Sequence, residues 1–339
     1  LPAGGRWPVL ESWLSLDRPE DRHADGTPTT EPSPVVELVD VAVDARMVTP
    51  GRQTSRGLGK VHPQDGEFRT RVRFRALQDG VGAVLLRLHP RARLEAIEDA
   101  RGESLDALRF RTGTLRLRRD RRDHNPVIAV PHSPPLTLGE TLNLTFDNRL
   151  ELYRNGFGDD WYPTDYRAVH QPHTGRIAIE HRPGWELKAV GLPTSSRREG
   201  RIVESVFATD RPTMMLGFTL ARRPYEVTVE PQGLPPVTAF GATTGYQHPE
   251  RIETVLEQVI GSARFFQDRF ERRIESPELL VTLIPALHGQ AFDGFLHLGD
   301  VLSASYLPDP VRDKVIAHEV AHQWWGHRAP WASYRDQWL

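Results

Sequence analysis

Phe68-Arg-Thr-Arg-Val-Arg-Phe-Arg-Ala76 alternates without a break. Phe68, Thr70, Val72, Phe74 and Ala76 fall on one side of an extended chain, and Arg69, Arg71, Arg73 and Arg75 on the other. A period of two is the mark of a strand with one buried and one solvated face. Neighbouring stretches read the same way: Leu142, Leu144 and Phe146 alternate, as do Ile177 and Ile179, while Val84 to Leu88 is a more continuous apolar run. Short strands punctuated by Gly, Pro and Asn predict an antiparallel all-β domain over residues 36–225. Residues 1–35, rich in Pro, Gly, Asp and Thr, read as a linker ahead of it.

The pattern changes after Pro235-Pro236. From Arg251 to Arg273 the apolar residues Ile252, Val255, Leu256, Val259, Ile260, Ala263, Phe266 and Phe270 form a helical stripe, which Ser276-Pro277 stops. Leu279 to Ile284 reads as a short strand and Gly294 to Leu298 as another. A second helix is predicted to open at Asp309-Pro310, an N-cap followed by proline. It runs to about Trp325, with Gly326 as its stop signal. Residues 226–339 therefore read as the first part of an α+β domain.

Composition agrees with two domains. The chain has 339 residues, 43 basic and 45 acidic, for a formal net charge of −2, which speaks against general nucleic-acid binding. No apolar run approaches the length of a transmembrane helix. Cysteine is absent, which excludes disulfides, thiolate metal sites and cysteine nucleophiles. The basic stretch Leu108 to Arg122 interleaves Leu115 and Leu117 and reads as a strand with a solvated basic face. His170, His173 and His181 match no compact ligand spacing.

The chemistry concentrates in the second predicted helix, at His318-Glu319-Val320-Ala321-His322. Two histidines four apart on a helix lie one above the other, within reach of one metal ion. Glu319, beside the first, can aim its carboxylate at a metal-bound water, the arrangement by which zinc peptidases obtain a nucleophile near neutral pH.

The longer segment Val315-Ile-Ala-His-Glu-Val-Ala-His-Gln-Trp-Trp-Gly326 resembles the zinc helix of the membrane alanyl aminopeptidase family of gluzincin-type zinc metallopeptidases. Tyr334-Arg-Asp-Gln-Trp-Leu339 is similar to the stretch before that family's third ligand, and Trp161-Tyr162-Pro163 and Asp210-Arg211-Pro212 to phrases of its β domain. The resemblance implies an N-terminal β domain followed by a thermolysin-like catalytic domain. It also implies one Zn2+ held by His318 and His322 together with a Glu two places after Leu339, with Glu319 as general base and acid. On that expectation the chain is an N-terminal piece of a divergent bacterial member, cut before its third ligand and inactive alone. Its substrate is a peptide or protein, and its setting periplasmic or secreted.

One departure concerns substrate. The family grips a free α-amine with a Gly-x-Met-Glu-Asn strand, and the corresponding place here is Gly289-Gln-Ala-Phe-Asp-Gly-Phe-Leu-His-Leu298. Asp293 is a shorter candidate anchor, while Asp293-Gly294 equally reads as a turn entering a strand. Gln290, Phe292, Asp293 and Gly294 are expected to line the cleft where a substrate backbone adds beside a strand. Two alternatives stand beside peptide hydrolysis: a non-catalytic scaffold with a vestigial zinc helix, and a metallohydrolase of another substrate class.

Overall fold

The alternating segment sits inside the second strand of the largest sheet, and its faces separate as the period predicts. Phe68, Val72, Phe74 and Ala76 are buried, and the four arginines face outward. The structure, a computed structural model, describes residues 35–50, 64–89, 92–111, 126–151, 161–165, 171–241, 249–284, 289–299, 302 and 308–329. The linker stretch before Val35, most of the basic run after Arg111, His170 and the Tyr334–Leu339 segment lie outside these residues.

In chain order the first strands are β1 (Val36–Pro50), β2 (Gln64–Ala76), β3 (Val81–Arg87), β4 (Arg93–Glu98), β5 (Leu108–Arg111), β6 (Pro126–Leu136) and β7 (Thr141–Glu151). Then come β8 (Thr164–Asp165), β9 (Thr174–His181), β10 (Trp185–Ala189), β11 (Leu192–Glu199), β12 (Ile202–Ala208) and β13 (Phe218–Arg222). The second part holds β14 (Tyr225–Val229), β15 (Val237–Gly241), α1 (Pro249–Phe270), β16 (Leu279–Ile284), β17 (Gln290–Phe292), β18 (Phe295–Gly299) and α2 (Asp309–Ala321).

A seven-stranded sheet, β11-β12-β9-β1-β2-β7-β4, shares one hydrophobic core with a four-stranded sheet, β5-β6-β3-β8. Trp161 and Tyr162 fasten that core to the chain entering β13. The Trp161 indole N–H donates to the Leu216 carbonyl at 2.8 Å, and the Tyr162 hydroxyl accepts the Leu216 N–H at 3.1 Å. The expected all-antiparallel pairing is corrected at one place: β1 runs parallel to β9, from Asp40 opposite Thr174 to Arg46 opposite Glu180. No hairpin joins these two strands, so nothing local fixes their relative direction.

Three of the four outward arginines pair with carboxylates across strands. Arg69 bonds Asp147 and Glu98 at 2.7 Å each, Arg71 bonds Asp44 at 2.8 Å, and Arg75 pairs with Glu37. Exposed pairs of this kind contribute at most about 1 kcal/mol each. Their consequence here is a sheet face without a net basic field. The remaining histidines of interest serve the fold. His173 meets the Tyr162 hydroxyl and the Gln171 carbonyl, and His181 meets Ser205 and the Arg182 carbonyl.

In the second part, a five-stranded sheet runs β14-β15-β16-β18-β17. Strand β16 is buried at every position because it lies between parallel neighbours β15 and β18 and is covered on both faces. Helix α1 packs its predicted stripe, from Ile252 to Ala263, into this core together with α2. It ends at Phe270, short of the expected Arg273, because Glu271 turns left-handed at φ 53°. Helix α2 also departs from expectation at both ends. Pro308 occupies the N-cap position with no side-chain cap bond, so Asp309 lies one residue inside, where it pairs with Arg312 at 2.8 Å. The regular helix closes at Ala321, short of the expected Trp325, and Val311 in its first turn is 47% exposed. A third apolar cluster, containing Met214, Met215, Phe240, Leu280, Phe292 and Phe295, joins the two parts behind the β17–β18 hairpin.

Candidate metal centre

Helix α2 places His318 and His322 on one face. His322 lies one residue past the regular helix but keeps helical angles (φ −62°, ψ −16°), so the four-residue spacing retains its geometry. Their Nε2 atoms stand 3.2 Å apart. Two nitrogens bound tetrahedrally to one zinc, each about 2.0–2.1 Å from it, stand about 3.3 Å from one another. The observed pair therefore matches two corners of such a site. The Nδ1 of His322 donates to the Trp325 carbonyl at 3.1 Å, which leaves the Nε2 lone pair for a metal. Burial holds the His322 pKa below its ordinary value, partly offset by that carbonyl, with His318 lowering it further. Among the described residues, no group of three or more His, Asp or Glu side chains converges on a common point.

Glu319, between them in sequence, is buried and lies against the Gly289–Ala291 backbone. Burial pushes its carboxyl up to about 7, with the backbone N–H of Ala291 as the one opposing donor. A carboxyl titrating near neutrality can both take and return a proton. Its fit depends on Gly289: a Cβ there would lie 2.5 Å from Glu319 Cγ and 2.6 Å from Oε1. The glycine is required by close approach, since no side chain can occupy the space that the glutamate fills.

The Gln-Trp-Trp-Gly tail forms the frame around this pair. Gln323, 3% exposed, accepts the Gly294 N–H at 2.8 Å and donates to the Phe292 carbonyl at 2.9 Å. Trp324 donates its indole N–H to the Arg272 carbonyl at 2.9 Å and packs among Phe266 and Phe270. Gly326 turns the chain back at φ 92°.

The expected substrate-facing residues are placed unevenly. Gln290 and Ala291 lie on β17, the outer strand of the sheet, next to Glu319. Gln290 is half-buried, with its amide 3.3 Å from the Ala291 carbonyl and 3.9 Å from Met215 Sδ. Phe292 is fully buried and packs on Gly217, where a Cβ would lie 2.5 Å from its ring. Asp293 and Gly294 make the two-residue turn between β17 and β18, with Gly294 left-handed at φ 69°. The Asp293 carboxylate is held by Arg211 through two hydrogen bonds of 3.1 and 3.2 Å, and Arg328 stands 3.7 Å away. Arg328 also pairs with Glu275 at 2.5 Å.

Sequence reasoning gave Gln323, Gly289 and Arg211 no individual role. The available signal was Gln323 itself, a polar residue directly after the second histidine on a helix that must be partly buried to hold a metal.

No family model matches the chain, and no curated protein matches it. Solved structures do. The chain resembles the crystal structure of an M1 zinc metallopeptidase from Deinococcus radiodurans with a TM-score of 0.58 at 16% identity, covering 89% of this chain and 67% of that one. A point mutant of the same peptidase gives 0.57 at 16% identity, over 88% and 66% of the two chains. The chain thus spans about two thirds of the length of these neighbours, and the likeness is one of fold. The β domain and the part that follows it are arranged as in an M1 zinc metallopeptidase.

Proposed function

We propose that this chain carries the zinc helix and the substrate-edge hairpin of a metallopeptidase that hydrolyses peptide bonds. The observation that carries this reading is the pair of Nε2 atoms 3.2 Å apart, with the intervening Glu319 buried beside the edge strand. His318 and His322 would hold zinc, together with a further ligand from outside the described residues. Zinc supplies Lewis-acid polarisation of the scissile carbonyl and of water. Glu319 takes the proton from the attacking water and returns it to the leaving amine, and its seat against Gly289 and Ala291 excludes other solvent from the carboxylate. A substrate backbone adds along β17, whose outer edge at Gly289 and Ala291 lies beside Glu319.

Within this proposal Phe292, Asp293 and Gly294 are framework, because one is buried and the turn is already bonded. Asp293, engaged by Arg211, is not available to a substrate ammonium, so hydrolysis should not require a free amine through it. The test is zinc-dependent hydrolysis of alanyl and leucyl amides with free and acetylated amines, by the intact protein that carries this chain and by its Glu319→Gln variant. Activity in the intact protein, similar on free and blocked substrates and lost with Glu319→Gln, is the expected result. Zinc binding with no hydrolysis would replace the enzyme by a scaffold. A strong preference for the free amine, lost in Asp293→Asn, would return Asp293 to the role of anchor.

A further inference from the structure

We infer that Gln323 is a positioning residue: it fixes the β17–β18 hairpin at the height where the Ala291 N–H meets the Glu319 carboxylate. The inference rests on Glu319 being the general base, and it concerns what places that base rather than what the base does. Three observations carry it. The buried Gln323 amide makes both of its bonds to backbone, one on each side of the Asp293-Gly294 turn, at 2.9 Å to the Phe292 carbonyl and 2.8 Å from the Gly294 N–H. It is four residues on from Glu319, in the tighter turn that continues the helix, where its own N–H bonds the Val320 carbonyl at 3.0 Å. Gly289, just before the three-residue strand β17, and Ala291 at its centre press against Glu319 itself.

The strand is therefore joined to the helix segment at two points four residues apart. Its other anchors lie on the far side: β18 pairs with it, Phe292 packs on Gly217, and Arg211 holds Asp293. From the helix side Ala291 also packs in the core shared with Ile316 and Val320, and Arg328 reaches Asp293 at 3.7 Å, but neither contact is a hydrogen bond that fixes the backbone of the hairpin. Gln323 fixes it with a donor and an acceptor in set geometry, and a side chain with only one of these functions can make only half of the contact. A shift of about 1 Å between a catalytic group and its partners is enough to lower a rate roughly a hundredfold.

The experiment compares the native protein with Gln323→Met, of similar volume, and Gln323→Glu, which keeps the acceptor for Gly294 and loses the donor to Phe292. Hydrogen exchange needs neither metal nor substrate. In Gln323→Met, exchange at Ala291 and Gly294 should rise at least tenfold while amides of α1 and of the β domain stay as they are. Gln323→Glu should fall between. Zinc(II) affinity should change less than threefold, because His318 and His322 are not held through the hairpin. With an alanyl amide as probe, kcat should fall about tenfold in Gln323→Met and less in Gln323→Glu. Unchanged exchange at Ala291 and Gly294 would overturn the inference, as would an equal rise over the whole chain, which would make Gln323 a general stability residue. Absence of zinc-dependent hydrolysis in the intact protein would sink the proposed function alone, since the exchange measurement still decides the clamp.

Discussion

The hairpin β17–β18 meets a carboxylate at each end, and the protein treats the two oppositely. At the open end Glu319 is buried against Gly289 and Ala291 with a single backbone donor, and its pKa is pushed up to about 7. At the turn, Asp293 is met by the guanidinium of Arg211 in a two-pronged contact and by Arg328 beyond it. The same functional group, at either end of one short strand, sits in a buried seat with a single backbone donor in one place and against guanidinium groups in the other. The proposed function gives only the first a proton to move. Environment assigns the role, and the sign of the nearest partner decides which.

That contrast can be broken most directly at the first carboxylate. Glu319→Gln should lower hydrolysis by roughly 10²–10⁴-fold, the usual worth of a general base. Thermal midpoint should not fall, since a buried amide costs less desolvation than a buried anion; steady-state kinetics and calorimetry check the two halves. Gly289→Ala tests whether the seat of that group matters. The added methyl must displace Glu319, with a stability loss of about 1–3 kcal/mol from overpacking and a clear drop in rate, both measurable on one sample by denaturant titration and assay. Asp293→Asn sharpens the other side. Removing the two-pronged partner of Arg211 should cost about 2 kcal/mol of stability, with the rate changed only a few-fold and a smaller difference between the variants at high salt. A larger loss of rate than of stability in that variant would mean that the two ends of the hairpin are not functionally distinct.

The weakest expected effect lies in the β domain. His181 is buried and its pKa is held below the ordinary 6.5 chiefly by desolvation, with the Arg182 carbonyl and Glu186 opposing. The unfolded chain therefore binds this proton more readily than the folded one. Stability contributed by neutral His181 is complete above pH 6.5 and is lost as pH falls below it. His181→Gln should flatten this acid-side slope, seen as a smaller change in urea midpoint between pH 7 and pH 5, without altering the site.

Much of this arrangement was legible before the structure, for reasons of period. The faces of β2 and the stripe of α1 repeat at the spacing of their own element, so burial follows from counting. The span Leu279–Ile284 was readable as β16 because an apolar run broken only by Thr282 suits a strand covered on both faces. The His318/His322 pair was readable because helix geometry alone brings them together. What escaped depends on neighbours distant in sequence. Nothing local says that β1 lies parallel to β9, or that Glu271 turns left-handed and ends α1 early. Phe292 and Asp293 read as cleft-lining residues until Gly217 and Arg211, from the other part of the chain, are found against them. The role of Gln323 requires knowing which turn faces it.

The parallel pairing of β1 has one consequence for biogenesis. Asp40 on β1 bonds Thr174 at the head of β9, 134 positions later. On a translating ribosome, at about 5–20 residues per second, the central strand of the largest sheet waits on the order of ten seconds for that neighbour to emerge. Until then it can pair only with β2, and its other backbone edge stays open to foreign strands. Nascent chains of this protein should accordingly draw on chaperones during synthesis of the β domain, well before α2 leaves the exit tunnel.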